Sequence, residues 1–267
     1  MDLSKQKIAP PPTCAHDWSL LQELELDPAA VSQRSAVFRR SLHRDGQTIP
    51  VFVKIYSYTK HPLERLWRAG RSCTEARNLD FFRQIGIVAP QVIDWGERRN
   101  RMGKLSCEFI ITAAITGTQQ LDEFVVKQCP HARSQAHINI RNQIIDTLAD
   151  WTARIHRHHF FHADLKWRNI LARLHNGMLE LAWIDCPKGR FKRRFGNHLH
   201  ARLKDCATLD KIARYYCTPA ERRRFVARYL GCAPGDSRVA RFAEQVDHYR
   251  RRRFDPDDGP PRLRCNP

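Results

Sequence analysis

Asp164, Lys166, Asn169 and Asp185 lie close together in one stretch, and their types suggest a shared chemistry. Two carboxylates, an amide oxygen and an ammonium group suit Mg²⁺ and a nucleotide triphosphate, because Mg²⁺ takes hard oxygen donors and keeps phosphate oxygens in its shell. The element that would gather them is a hairpin closed at Asn176-Gly177. Asn-Gly favours a two-residue type I′ turn, since both residues tolerate a positive φ. On its C-terminal side Leu179, Leu181 and Trp183 alternate with Glu180, Ala182 and Ile184, the period of a strand. Ile170–Leu174 pairs back against them. With Asn176 and Gly177 as turn residues, paired positions sum to 353, so Asn169 faces Ile184 and Asp185 faces Arg168. The open end of the hairpin thus collects an amide oxygen and a carboxylate beside Asp164 and Lys166. Phosphoryl transfer is the chemistry this set predicts.

The bulk properties set bounds around that site. A chain of 267 residues with 42% hydrophobic content can bury a core of one two-lobed domain or two small ones. Lys and Arg number 46 against 28 Asp and Glu, a net charge of +18 that favours a polyanionic partner: nucleic acid, an anionic membrane or a phosphorylated glycolipid. The nine Cys are scattered, without C-x-x-C spacing, and read as reduced thiols of the cytosol. Cys129 with His131, and the run His156, His158, His159 and His162, lack the second pair a zinc site needs. No stretch has the apolar length of a signal peptide or a membrane span, so a cytosolic protein is expected.

Further elements must frame the site. Residues 1–16, with Pro10-Pro11-Pro12, read as a loose lead-in. Ala36–Leu42 and Ile49–Tyr56, around Asp45-Gly46, predict a hairpin with a longer loop. Its second strand, V-F-V-K-I-Y, carries Lys54 among apolar neighbours, where a buried ammonium needs an anionic partner. Ser72-Cys73-Thr74-Glu75 opens a helix bearing Leu79, Phe82 and Ile85. Glu75 has two readings there, a capping-box glutamate or the ion-pair partner of Lys54. Val92–Gly96 and Leu105–Thr112 are two more strands. Ile138–His156, apolar at Ile140, Ile144, Ile145, Leu148, Trp151 and Ile155, is an amphipathic helix leading to Asp164. Asp205–Tyr216 is another. Thr218-Pro219-Ala220-Glu221 is a capping box with Pro at the first helical position, opening a helix to about Leu230. Val239, Phe242, Ala243, Val246 and Tyr249 mark a last helix, and Arg250–Arg253 with the tail after Phe254 read as unpacked.

H-A-D-L-K-W-R-N resembles the kinase catalytic loop H-x-D-L-x-x-x-N, and Asp185 stands where kinases have the aspartate of D-F-G. The strand around Lys54 resembles the kinase V-A-I-K strand. By that resemblance Asp164 accepts the proton of the attacking hydroxyl and Lys166 steadies the transferred phosphoryl group. Asn169 and Asp185 hold Mg²⁺. Lys54, paired with Glu75, reaches the α- and β-phosphates of ATP. The whole chain resembles the two-lobed protein-kinase-like fold. This α+β architecture has a small antiparallel-sheet N-lobe with one main helix (35–112) and a larger helical C-lobe (113–253), between an N-terminal extension (1–34) and a tail (254–267). D-L-K-W-R-N-I-L with W-I-D-C-P-K-G-R, and H-P-L-E-R-L-W-R upstream, narrow the resemblance to the bacterial lipopolysaccharide core (heptose/Kdo) kinases. That family implies ATP- and Mg²⁺-dependent phosphorylation of a sugar hydroxyl, usually on heptose, at the cytoplasmic face of the inner membrane. The substrate is an anionic glycolipid, and Arg190, Lys192 and Arg193 are its candidate contacts.

The chain departs from the kinase pattern in three places. It has no G-x-G-x-x-G before Lys54, Ala163 replaces the arginine of H-R-D, and Pro187 replaces the glycine of D-F-G. A pseudokinase, or a kinase of proteins or small molecules, are alternatives. A nucleic-acid-binding protein finds no helix-turn-helix, zinc-finger or aromatic RNA-binding signature in this sequence. Leu63, Leu66 and Trp67, with Arg65, Arg68 and Arg71 around them, read either as an interfacial helix on an anionic membrane or as a surface turn of helix. If the first holds, Trp67→Ala with Arg68→Ala weakens co-sedimentation with anionic vesicles; undiminished binding rejects it.

Overall fold

The computed structural model describes residues 18–27, 35–58, 70–129, 134–193 and 198–254. The 62–71 segment therefore lies almost wholly outside the described residues, as do residues 1–16 and the tail after Phe254. The chain forms two compact units. One comprises the residues up to Thr116 together with Asp185–Lys188; the other comprises Gly117–Ile184 and the residues from Gly189 onward.

The first unit is built on an antiparallel sheet. Its strands β1 (Ser35–Arg44), β2 (Gln47–Ser57), β3 (Val92–Arg99) and β4 (Leu105–Ala113) lie in the order β1-β2-β4-β3. The first hairpin closes more tightly than the sequence suggests. Both strands run on to a two-residue turn at Asp45-Gly46, where φ is +51° and +73°. Positive φ at both positions gives the twist that matches the paired strands, so no longer loop is needed. Alternation along β2 then sorts the side chains. Val51, Val53 and Ile55 are fully buried in a core with Leu42, Phe109 and Ile111. Each such burial contributes about 1.5–3 kcal/mol. The short helix α1 (Ser19–Glu23) closes this core through Leu21, with Leu24 and Leu26 just beyond it. Phe52, Lys54 and Tyr56 occupy the opposite face, because successive strand side chains alternate.

Helix α2 (Arg71–Gln84) starts at Gly70 without a capping side chain of its own. Two carboxylates from the sheet do that work. Gly70 N–H donates to Glu97 at 2.6 Å, while Ser72 N–H and Oγ donate to the fully buried Glu108 at 2.7 and 2.8 Å. Anions at a helix N-terminus meet its unsatisfied N–H groups and its positive dipole end. Glu75 lies one turn further in, so it is not a capping-box residue.

The second unit is mostly helical. It contains α3 (Leu121–Gln128), α4 (Gln135–Arg157), α5 (Leu199–Tyr216), α6 (Pro219–Leu230) and α7 (Ser237–Arg253). A small sheet joins β5 (Gln119–Gln120), β7 (Ile170–His175) and β8 (Met178–Trp183) in that order. A two-stranded ribbon pairs β6 (Phe160–Phe161) with β9 (Arg190–Phe191). The Asn176-Gly177 hairpin has the expected register, Ile170 facing Trp183 through His175 facing Met178. Helix α6 begins with the predicted capping box of Thr218 and Glu221 and ends at Gly231 in the left-handed region. Three ion pairs zip α4 to α6: Arg141–Glu221, Asp146–Arg224 and Asp150–Arg228. The expectation that Arg250–Arg253 are unpacked is corrected. They form the last turn of α7, and Arg250 is buried against Asp210 and Asp247, charges contributed from α5 and one turn back in α7.

A methyl group at Gly70 would stand 2.1 Å from a Glu108 oxygen and 2.4 Å from a Glu97 oxygen. Gly70→Ala therefore removes both caps of α2 and lowers stability by about 1–4 kcal/mol in urea unfolding; an unchanged midpoint would sink this account of the helix start.

Candidate active site

In the strand-rich unit one ammonium group organises the polar residues. Lys54 Nζ lies 3.3 Å from Glu75 of α2 and also contacts the Asp185 carboxylate. Tyr56 completes the group: its hydroxyl donates to Glu75 at 3.0 Å, and its ring lies 5.1 Å from Lys54 Nζ. Glu75 is buried and Lys54 largely so, and each is tolerated only because the other charge is present. Burial pushes the Glu75 carboxyl up, to about 7, against the pull of Lys54. The two carboxylates hold the Lys54 ammonium above its ordinary range in spite of burial. The Tyr56 phenol is driven up by burial and by Glu75. Of the two sequence readings of Glu75, the structure shows the ion pair.

Asp185 is placed from below. Asn78 Nδ2, on the same face of α2 as Glu75, donates to the Cys186 carbonyl at 2.6 Å, and Cys186 is fully buried. Asp185 itself has φ +59°, a conformation that costs a non-glycine residue about 1–3 kcal/mol and persists only where surroundings enforce it. Val37, directly across from Lys54, and Phe52, two residues before it, are 60% and 41% exposed on the same sheet face. They form an apolar platform beside the lysine.

In the helical unit the loop from His162 to Asn169 is fixed through its backbone. The fully buried Asp205 of α5 accepts N–H donors from His162 and Ala163, both at 2.8 Å. It also meets His156 Nε2 at 3.2 Å. Ala163 adopts φ +63°, held there by that carboxylate. Leu165 is fully buried, and Trp167 donates its indole N–H to the Leu209 carbonyl at 3.0 Å. The loop is therefore clamped on α5 at both ends, and Asp164 between the clamps pairs with Lys166 at 2.7 Å. Asn169 Nδ2 donates to the Asp164 carbonyl at 3.1 Å. That bond assigns Nδ2 as the donor and leaves Oδ1, a hard oxygen, as the acceptor of the amide. Ile184 N–H donates to the Asn169 carbonyl at 2.9 Å, extending the hairpin register to its end, and the next peptide bond leads to Asp185.

Arg190 lies on β9, exposed opposite Phe161, and is followed by Lys192 and the exposed Arg193. The structure thus groups the sequence-predicted residues in three sets: Lys54 with Glu75 and Asp185, Asp164 with Lys166 and Asn169, and the basic run that starts on β9 at Arg190. Sequence reasoning missed Tyr56, Asn78 and Asp205. A carboxylate within the apolar pattern of α5 was the one available signal, and it marked Asp205.

Among the described residues no three His, Cys, Asp or Glu side chains are grouped to hold a metal. Zinc needs such a set, whereas Mg²⁺ binds through one or two protein oxygens plus phosphates and water. Asp185 and Asn169 each offer a hard oxygen of the kind Mg²⁺ takes.

Residues 29–229 match the profile of the lipopolysaccharide kinase (Kdo/WaaP) family. The chain belongs to this family. It is accordingly a kinase, a phosphotransferase acting on a hydroxyl group of lipopolysaccharide. Among solved structures, "WaaP in complex with acyl carrier protein" shares the fold. Its TM-score is 0.59 at 18% identity, covering 87% of this chain and 97% of that one. No curated protein matches. The α+β, kinase-like architecture expected from the sequence is thus the one observed. Among the described residues no helix of this lipopolysaccharide kinase is long and apolar enough to cross a membrane.

Because the Glu75 carboxyl titrates higher folded than unfolded, its contribution to stability is complete below the ordinary carboxylate range. It is lost as pH rises through about 7. Between about pH 5 and pH 8 the wild type should therefore lose thermal stability relative to Glu75→Gln. A difference that stays constant across that window would show that Glu75 does not titrate there.

Proposed function

We propose that this lipopolysaccharide kinase transfers the γ-phosphoryl group of ATP to a heptose hydroxyl of the inner core, working at the cytoplasmic face of the inner membrane. The observation that carries this reading is the Lys54 ammonium held between Glu75 and Asp185. A lysine fixed on a sheet by two carboxylates is preorganised for the α- and β-phosphates, and it orders the aspartate that shares the metal. Val37 and Phe52 offer the adenine an apolar face beside that lysine.

Asp185 and Asn169 would hold Mg²⁺, which would supply charge neutralisation for the phosphate groups. Asp164 takes the proton of the acceptor hydroxyl as its oxygen bonds to the γ-phosphorus and the bond to the β-phosphate oxygen breaks, releasing ADP. Lys166, already paired with Asp164, balances charge on the transferring group. Catalysis of this kind rests on positioning, which explains the clamped loop. Arg190, Lys192 and Arg193 contact anionic groups of the acceptor, for which guanidinium forks and ammonium groups are suited. The net charge of +18 favours the anionic membrane surface that displays such a glycolipid.

Incubation with γ-labelled ATP, Mg²⁺ and lipopolysaccharide core lacking phosphate should label the glycolipid. Asp164→Ala should reduce turnover at least ~100-fold without changing the unfolding midpoint. Near-wild-type turnover by that variant would remove Asp164 from its role. Label that enters proteins or small sugars in parallel reactions, and never the glycolipid, would replace the proposed acceptor.

A further inference from the structure

Outside the residues already assigned, the helical unit has a second concentration of charge. A cleft of about 510 Å³ opens where the end of α4, the β6 strand and the first turn of α5 meet. Among the described residues Arg157, His159, His198 and Arg202 line it, with Tyr229 and Phe161, and no carboxylate does. The Phe161 ring ties it to the acceptor run: Lys192 Nζ lies 5.5 Å from that ring, and the His198 ring lies 5.2 Å from it. Lys192 N–H also donates to the His159 carbonyl at 2.9 Å.

The basic residues come from three elements. Basic residues at the end of α4 are expected, since they complement the helix dipole. That accounts for Arg157 but not for His198 just before α5, Arg202 on α5 or Lys192 after β9. Nearby carboxylates are committed elsewhere: Asp205 to the His162–Ala163 backbone and His156, Asp150 to Arg228. The Arg202 guanidinium is held in place by stacking on Tyr229 and Phe242 and by donating to the Tyr229 hydroxyl at 2.6 Å. The field is felt locally, as burial and the charges of Arg157, Arg154 and His159 hold the His158 imidazolium below its ordinary range. Like charges brought together in a partly desolvated cleft repel, and an anion entering it relieves that repulsion while accepting several charge-assisted hydrogen bonds.

We propose that this cleft, lined by Arg157, His159, His198 and Arg202 with Lys192 at its lip, binds an anionic group of the glycolipid acceptor other than the hydroxyl that is phosphorylated. The group is a phosphate monoester or a sugar carboxylate. It serves as a second anchor, selecting acceptors that already carry that charge. The assignment rests on the lipopolysaccharide kinase reading above, and the test separates the two.

The first arm needs no turnover. Histidine resonances of the full chain are followed by NMR during titration with methyl phosphate, gluconate or sodium chloride at equal ionic strength. Saturable shifts of His159 and His198 with one of the first two, lost in Arg157→Glu, are expected. They also identify which anion is preferred. Shifts that match those of chloride mean screening by an adventitious ion only and overturn the proposal. The second arm compares lipopolysaccharide core with and without its phosphate and carboxylate groups. Arg157→Glu, and His159→Asn, which keeps a residue tolerant of the left-handed backbone there, should raise KM about tenfold for the charged acceptor. They should leave kcat, and KM for the uncharged one, unchanged. Saturable NMR shifts with no KM effect overturn the acceptor assignment. If anionic-vesicle binding falls instead, the anion is a lipid headgroup. If the wild type phosphorylates no core acceptor, the function reading fails, while the NMR arm still decides whether the cleft takes an anion.

Discussion

The helical unit depends on one buried carboxylate. Asp205 gives up hydration entirely and recovers it through two backbone N–H groups and an imidazole. A carboxylate so placed is costly unless every partner is present, so the loop that supplies those partners has one position available to it. The positive φ of Ala163 follows from this, as does the fixed start of the run that carries Asp164 and Asn169. In the strand-rich unit Lys54 has the same logic with the sign reversed: a largely buried cation that needs both Glu75 of α2 and Asp185 beside it. Each unit thus orders its chemistry around a charge that would be intolerable alone.

Helix α2 shows how the sheet sets such geometry. Its N-terminus has no cap of its own and is closed by Glu97 and Glu108, so its position is fixed by β3 and β4. Glu75 and Asn78 then lie one turn apart on one face, the first meeting Lys54 and the second the Cys186 carbonyl. A helix positioned by carboxylates of the sheet thereby positions both the lysine and the aspartate.

Much of this was legible in the sequence wherever a local rule carries the information. Asn176-Gly177 sets the hairpin register through backbone sterics, and the register places Asn169 against Ile184 without further knowledge of the fold. Thr218 and Glu221 fix the start of α6 in the same way. The elements that escaped are those whose reasons are distant. Helix α1 has five residues, too few for a period. Strands β5, β6 and β9 have two residues each and exist because a partner lies alongside. Arg250 reads as part of a charged tail until Asp210, forty residues earlier, is seen beside it. Asp205, Tyr56 and Asn78 matter for what they touch, and of the three only Asp205, a carboxylate within the apolar pattern of α5, carries a mark along the chain.

The four residues from Asp185 to Lys188 belong with the strands, although the chain on either side of them belongs with the helices. The polypeptide accordingly passes between the units three times, after Thr116, after Ile184 and after Lys188. No single cut releases either unit whole. A fragment ending at Thr116 lacks the aspartate that Lys54 binds, and leaves the Lys54–Glu75 pair short of one negative charge. Its complement carries that aspartate on a strap with nothing to receive it. Neither half can be expected to fold to its observed form when expressed by itself, and the two must be made as one chain or reassociate as complementing pieces.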